Sequence, residues 1–403
     1  MDLDNLLSDD AVNNSALFYR TLREHDPVHF NARWNGWVVT RYQDVDAGYK
    51  DHARLSSSRF EGPWADHAHS PQEKLFALFN SFFVWKDPPE HTRMRSLVNK
   101  AFTPKSVEIL RPRIRAILEE LTQDLPTDEP VDFLNGFAFE LPVLVISEYL
   151  GVPASEREDV KAWSEALGSV IFVRGDDTER RAKAESAVEG LDGLLRPIVR
   201  ARRETPADDL ISGMVHATDA DGGGLSEDEI IANACLMLFA GHDTTQNLLS
   251  NMIVAFHENP DQWRKLQDDP ELARAATEEG LRFDGPITAL GRWARQPLEI
   301  GDRTIAEGDR VLLVQWAANR DPEVYPDPDR FDIERHPTRH LAFGHGAHVC
   351  LGAPLARLET QEALSHLTTR FDHIEVLNDR LVRSPTIVSR SLKNLTVAFH
   401  PRL

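Results

Sequence analysis

The chain has 403 residues, 41% of them hydrophobic, and a formal net charge of −20 from 65 acidic and 45 basic side chains. That acidity argues against general nucleic-acid binding. Two cysteines cannot build a disulfide framework and point to a reduced, cytoplasmic setting. No apolar run reaches the ~20 residues of a membrane span, and the acidic opening MDLDNLLSDD lacks the basic and apolar regions of a signal peptide. With no linker, repeat or low-complexity tract, residues 1–403 are expected to form one domain.

In chain order, a helical pattern at Leu17, Tyr19 and Leu22 precedes a strand-like stretch from Gly36 to Arg41. Residues 55–86 are irregular and end in apolar Phe82, Phe83 and Val84. Pro88 and Pro89 mark a helix start, after which His91 and Arg95, four apart, share one face and could grip a carboxylate. From His91 to Arg115 the chain is basic, a local reversal that suggests docking of an acidic partner. Amphipathic helices follow to about residue 204, with a turn expected around Val170–Gly175. Ser226 and Glu229 form a capping box that opens a helix of ~30 residues, ~45 Å long, with an apolar middle containing Cys235, Leu236 and Phe239. Within it Ala240, Gly241, His242, Asp243 and Thr244 are mostly poor helix formers, and a local opening of the ladder is expected there. Glu279 and Arg282 can pair across one turn of a later helix. Strand-like segments then run from Thr288 to Val314, and more are expected from Leu381 to Phe399.

The most informative stretch is HLAFGHGAHVCLGAPLARLE, residues 340–359. Glycines at 344 and 346 let the backbone pass close to a bulky ligand. Cys350 then precedes a helix, whose positive end favours a thiolate. A soft thiolate suits iron or another transition metal, while the absence of a second ligand at zinc spacing disfavours zinc.

Phe343, Gly346, His348, Cys350 and Gly352 stand as in the haem-binding loop of the cytochrome P450 family, which this chain resembles from about Leu17 to its end. The resemblance implies a mainly α fold with small β-sheets around a buried heme b, with Cys350 as axial iron ligand. It further implies haem contacts from Phe343, Gly346, Gly352, Ala240 and Gly241, with propionate contacts from His91, Arg95, Arg292 and His348. Asp243 and Thr244 match the family's acid–alcohol pair, Asp243 delivering protons and Thr244 hydrogen-bonding bound dioxygen. Phe82, Phe83, Val84, Leu236, Phe239, Ala289, Leu290, Ile387 and Val388 match pocket positions and suggest a small apolar guest. Glu279 and Arg282 match a buried pair locked by an arginine of a later meander, here Arg330.

The implied activity is a monooxygenase using dioxygen, with electrons from a separate ferredoxin and its reductase, since no flavin or nicotinamide fingerprint is present. A soluble monomer without membrane attachment is expected. The rival readings are a peroxide-driven haem peroxygenase, a non-catalytic haem sensor and a helical protein with no cofactor.

Overall fold

The structure, a computed structural model, describes residues 1–67, 74–171, 177–335 and 339–402. Most of the turn expected at Val170–Gly175 lies outside those residues. The chain divides into two compact units, one comprising Met1–Ser56, Ile114–Leu141 and Thr244–Leu403, the other Ser57–Arg113 and Pro142–Asp243.

All described strands belong to the first unit. Its five-stranded sheet runs Val28–Asn31, Gly36–Val39, Arg310–Leu313, Leu290–Ala294 and Leu55–Ser56 in spatial order. The pairing of Trp37–Val39 with Val311–Leu313 is parallel and the others are antiparallel. Side chains alternate across a strand, so both faces must be covered if both are apolar. Val39, Val311 and Leu313 pack with Val45, Leu55 and Ile305. Val38 and Leu312 turn the other way, against Phe18, Tyr19 and Leu22 of the helix Ser15–His25.

The helix Ala273–Asp284 of the same unit carries Glu279 and Arg282. The two are 4% and 2% exposed and pair through Arg282 Nε to Glu279 Oε2 at 2.7 Å and Nη2 to Oε1 at 2.8 Å. The meander arginine that joins them is Arg335, whose Nε lies 3.3 Å from Glu279 Oε1. Arg330, expected in that role, offers only its backbone carbonyl to Arg282, while its side chain turns out toward Asp332 at 3.5 Å. Asp327, three residues before Arg330, takes a left-handed backbone at φ +48°. Gly280 is accounted for by packing, because a Cβ there would stand 2.6 Å from Met252 Sδ.

The C-terminal strands differ from expectation. Residues 381–392 form no regular strand; they make isolated bridges, Arg383 with Leu392 and Ile287 with Ser389, before the strand Thr396–Pro401. Val382, Ile387 and Val388 suit a strand by composition, but among the described residues the segment pairs only through single bridges and isolated backbone bonds.

The described part of the second unit is helical, including Glu90–Ala101, Arg157–Ile171, Thr178–Glu204 and the first half of Glu227–Glu258. Ser226 caps that last helix as expected, its hydroxyl accepting from Glu229 N while Glu229 accepts from Ser226 N. The helix is unbroken α for 32 residues, so the expected opening at 240–247 does not interrupt its assignment. The poor helix formers are held in line by well-packed turns on either side, since every residue from Ile230 to Phe239 and from Asn247 to Phe256 is buried. Among the described residues no helix is long and apolar enough to cross a membrane.

Candidate haem site

In the first unit, the two glycines before Cys350 both adopt left-handed backbone, Gly344 at φ +66° and Gly346 at φ +73°. A Cβ at Gly346 would stand 2.6 Å from the Tyr49 carbonyl, whereas one at Gly344 meets nothing within 4 Å. The loop then closes through Cys350 N donating to the Phe343 carbonyl at 2.9 Å. The helix Ala353–Arg370 begins just beyond, and Cys350 is exposed at its mouth. The other thiol, Cys235, is buried, and burial pushes its pKa well up, as suits a core residue.

These glycines make unequal predictions. Gly344→Ala is expected to cost about 1 kcal/mol, the conformational penalty alone. Gly346→Ala adds a clash with fixed backbone and is expected to cost more and to weaken haem retention. Melting temperatures and haem content of the two purified variants check this ranking.

Tyr49 joins the loop to the sheet. Its hydroxyl donates to Gln315 Oε1 at 2.6 Å, and Gln315 Nε2 donates to the Ala342 carbonyl at 2.9 Å. Arg292, 9% exposed on the strand Leu290–Ala294, stands 5.7 Å over the Tyr49 ring. Phe343 is flanked by Arg357, whose guanidinium lies 4.5 Å over its ring. Arg357 in turn grips Glu278 at 2.6 and 2.9 Å, and His340 meets the same carboxylate at 3.0 Å. Burial opposes ionisation of Glu278, but the hydrogen bonds from Arg357 and His340 prevail and hold its pKa down to about 2. His348 is half-buried on the short turn Gly346–His348. Tyr49, Glu278, His340 and Arg357 have no distinguishing signal in the sequence beyond their closeness to the motifs.

In the second unit, His91 is 2% exposed on the helix Glu90–Ala101, its ring centroid 6.2 Å from that of Phe83. Arg95 stands 5.4 Å over the Phe83 ring and donates to Asn99 Oδ1 at 3.0 Å. Phe82 is fully buried, against Phe79 and Trp85. The loop is tied to the long helix by Asn233, which accepts from Phe83 N at 3.2 Å and donates to the Ser81 carbonyl at 3.3 Å. Val84 is half-buried, and Leu236 and Phe239 are buried on that helix.

From Ile230 to Phe256 the long helix has one exposed residue, Ala240. Gly241 lies next to it, close against Ile146. His242 is buried and its pKa is lowered to about 4 by burial; it is neutral, with Nδ1 2.8 Å from the Leu238 carbonyl. Asp243 is half-buried and burial raises its pKa to about 6. In the first unit, Thr244 follows it in the helix, Ala289 is buried, and Leu290, Ile387 and Val388 are partly buried.

The basic run from His91 to Arg115 is largely neutralised within the chain. Arg93 meets Glu229, Arg111 meets Glu108, Arg113 meets Glu148 and Arg115 meets Glu362. The acidic partners lie far along the sequence in three of the four pairs, which is why the run reads as an unopposed patch.

The donor set of the first unit fits a haem: Cys350 is an exposed thiol at a helix mouth, and Arg292 is a cation suited to a carboxylate. Among the described residues no group of three or more His, Cys, Asp or Glu is arranged to hold a bare metal ion, so Cys350 would need its other ligands from a cofactor.

Comparison with known proteins agrees. The Cytochrome P450 family model matches residues 35–394. The chain is 39% identical over 390 residues to the vitamin D(3) 25-hydroxylase of Pseudonocardia autotrophica, covering 95% of this chain and 93% of that protein. It is 37% identical over 387 residues to the cytochrome P450 monooxygenase PikC of Streptomyces venezuelae, covering 94% and 89%. The structure of P450BioI in complex with hexadec-9Z-enoic acid ligated acyl carrier protein matches with a TM-score of 0.89 at 32% identity, covering 98% of this chain and 100% of that one. The chain therefore belongs to the cytochrome P450 family. It is an enzyme of the monooxygenase class whose cofactor is heme b, and the family's chemistry calls on dioxygen and a redox partner.

Proposed function

We propose that the protein inserts one oxygen atom of dioxygen into a small apolar organic substrate, by hydroxylation or epoxidation, as a cytoplasmic monomer of one domain served by a ferredoxin and its reductase. The observation that carries this reading is Asp243 followed by Thr244 in the middle of the long helix, three residues after the exposed Ala240, with the Asp243 carboxyl raised to about 6. A peroxide-driven enzyme of this family usually lacks the acid–alcohol pair, and a sensor does not need Thr244, so the pair speaks against both. Two relatives name apolar molecules, vitamin D(3) and a hexadecenoic acid carried on acyl carrier protein, which supports an apolar guest beside Leu236, Phe239, Ala289 and Leu290.

Heme b, when bound, supplies the iron centre at which dioxygen is reduced and substrate oxidised. Cys350 offers its sulfur as the anionic ligand, and the glycine loop fixes that sulfur without a side chain in the way. Arg292 and His348 in one unit, and His91 and Arg95 in the other, are the residues we assign to the propionates. The Asp243 carboxyl, raised to about 6, takes up and gives off its proton close to neutral pH and passes it on through the Thr244 hydroxyl, which both donates and accepts.

The folded pKa of Asp243 lies above the ordinary ~3.9 of an aspartate. Its contribution to stability is therefore full below that value and is lost as pH rises through about 6. The same titration empties the proton store. Product formed per reductant consumed is expected to fall between about pH 6 and pH 8. Asp243→Asn removes this dependence and lowers product formation on the order of 100-fold, and Thr244→Ala uncouples reductant use from product. Coupling ratios across that pH range check it, and tight coupling in Thr244→Ala would refute the relay. The activity itself is tested with isotopically labelled dioxygen, ferredoxin and reductase, where one labelled atom is expected in the product. Product formed from hydrogen peroxide but never with any ferredoxin would overturn it.

A further inference from the structure

The segment Val382–Lys393 is a small hairpin by its backbone bonds: Ser384 N to the Ser391 carbonyl at 2.9 Å, the bridge between Arg383 and Leu392, and Lys393 N to the Val382 carbonyl at 2.9 Å. Its tip carries Ile387 and Val388. The tip is pinned to the chain just after the helix Ala273–Asp284, with Thr288 N donating to the Val388 carbonyl at 2.7 Å and Arg390 N to the Pro286 carbonyl at 2.8 Å. So short a hairpin is not self-supporting.

The charged centre between its arms is one carboxylate. Asp284, the last residue of that helix, is 9% exposed. Arg383 on one arm donates to its Oδ2 at 2.6 Å, and Arg390 on the other donates to its Oδ1 at 2.5 Å. Trp316 Nε1 donates to Oδ1 at 2.9 Å, and its ring lies under Arg390 at 4.5 Å. Asn251 of the long helix accepts from Arg383 at 2.8 Å and donates to the carbonyls of Asp284 and Arg390 at 3.0 and 3.1 Å. Arg390 also reaches Ser15 Oγ at 2.7 Å. Burial works against the ionised Asp284, yet Arg383, Arg390 and Arg320 hold its carboxyl well below the usual range. A carboxylate satisfied this fully is rigid, and it is the charged member of a bridge between the arms that Asn251 also joins, through the Arg383 side chain and the Arg390 carbonyl.

We infer that Asp284 is a positioning residue for substrate: by clamping Arg383 and Arg390 it sets where the tip Thr386–Val388 stands, and so which atom of an apolar guest is presented for oxidation. The inference rests on the reading of Ile387 and Val388 as pocket residues. Asp284 touches no substrate; it acts through the hairpin, and also through the chain that leaves its helix toward Ala289 and Leu290.

The test uses the purified holoenzyme and a panel of apolar compounds, first screened with the unmodified protein for the spin-state shift of the haem spectrum. Absence of any shift or turnover in the unmodified protein would defeat the pocket reading itself, and with it this inference. With a guest in hand, Asp284→Asn is compared with Asp209→Asn. The control breaks another well-shielded aspartate, paired with Arg202 at 2.6 Å in the other unit. Asp284→Asn is expected to weaken guest binding at least 5-fold and to change the ratio of oxidised positions, with the ferrous carbonyl spectrum intact. Asp209→Asn is expected to lower the melting temperature without moving that ratio. Where Asp284→Asn does not fold, Arg383→Lys carries the test, since it keeps the charge but shortens the reach and so displaces one arm. An unchanged product ratio and binding constant in the folded clamp variants, or equal changes in Asp209→Asn, would overturn the inference.

Discussion

Cys350→Ser is expected to abolish the strongly red-shifted Soret band of the ferrous carbonyl complex while leaving the protein folded. Serine keeps the backbone bond from residue 350 to the Phe343 carbonyl and the left-handed glycines before it, so the loop survives. What it removes is the soft anion: a thiol ionises near pH 8.5 and lower beside a helix mouth, whereas an alcohol stays protonated and is a poor partner for iron. Cys235→Ser is the control. That side chain is buried in the long helix, so the change costs on the order of 1–3 kcal/mol of stability but leaves the band in place. Carbonyl spectra of the two reduced variants decide which sulfur matters.

Glu279→Ala is expected to be the most damaging substitution outside the haem loop. It leaves Arg282, 2% exposed, with its charge unpaired, and it also strips Arg335 and the Asp332 amide of their acceptor. Orphaning a buried charge costs about 3–5 kcal/mol, a large share of the ~5–15 kcal/mol that holds a domain folded. A sharp fall in soluble yield and melting temperature is the expected reading. Arg330→Ala, by contrast, removes a side chain that is 63% exposed and is expected to shift stability by less than about 1 kcal/mol. Arg335→Ala should fall between them. Equal losses for Arg330→Ala and Arg335→Ala would contradict the geometry of the triad.

The contrast between those arginines shows what the sequence can carry. Local periodic signals were readable: the Ser226–Glu229 cap, the helix it opens, and the Glu279–Arg282 pair three residues apart. Each depends on residues within one or two turns. Arg335 was not readable, because the choice between it and Arg330 depends on backbone conformation that the sequence leaves open. The pairing within the basic run was not readable for a related reason, its carboxylates arriving from Glu148, Glu229 and Glu362. At 381–392, β-branched residues suggested strands, yet the segment is shaped by two arginines on Asp284, about a hundred residues earlier. The haem loop itself was legible because Cys350, its glycines and the following helix are contiguous. Its supports were not: Tyr49 and Gln315 meet across 266 positions of sequence.

The family assignment and the donor set converge on one bond. X-ray absorption at the iron edge of the purified resting enzyme measures it directly. A sulfur atom in the first coordination shell of iron, lost in Cys350→Ser and kept in Cys235→Ser, is the predicted result. A shell of nitrogen and oxygen alone in the unmodified enzyme would contradict the account.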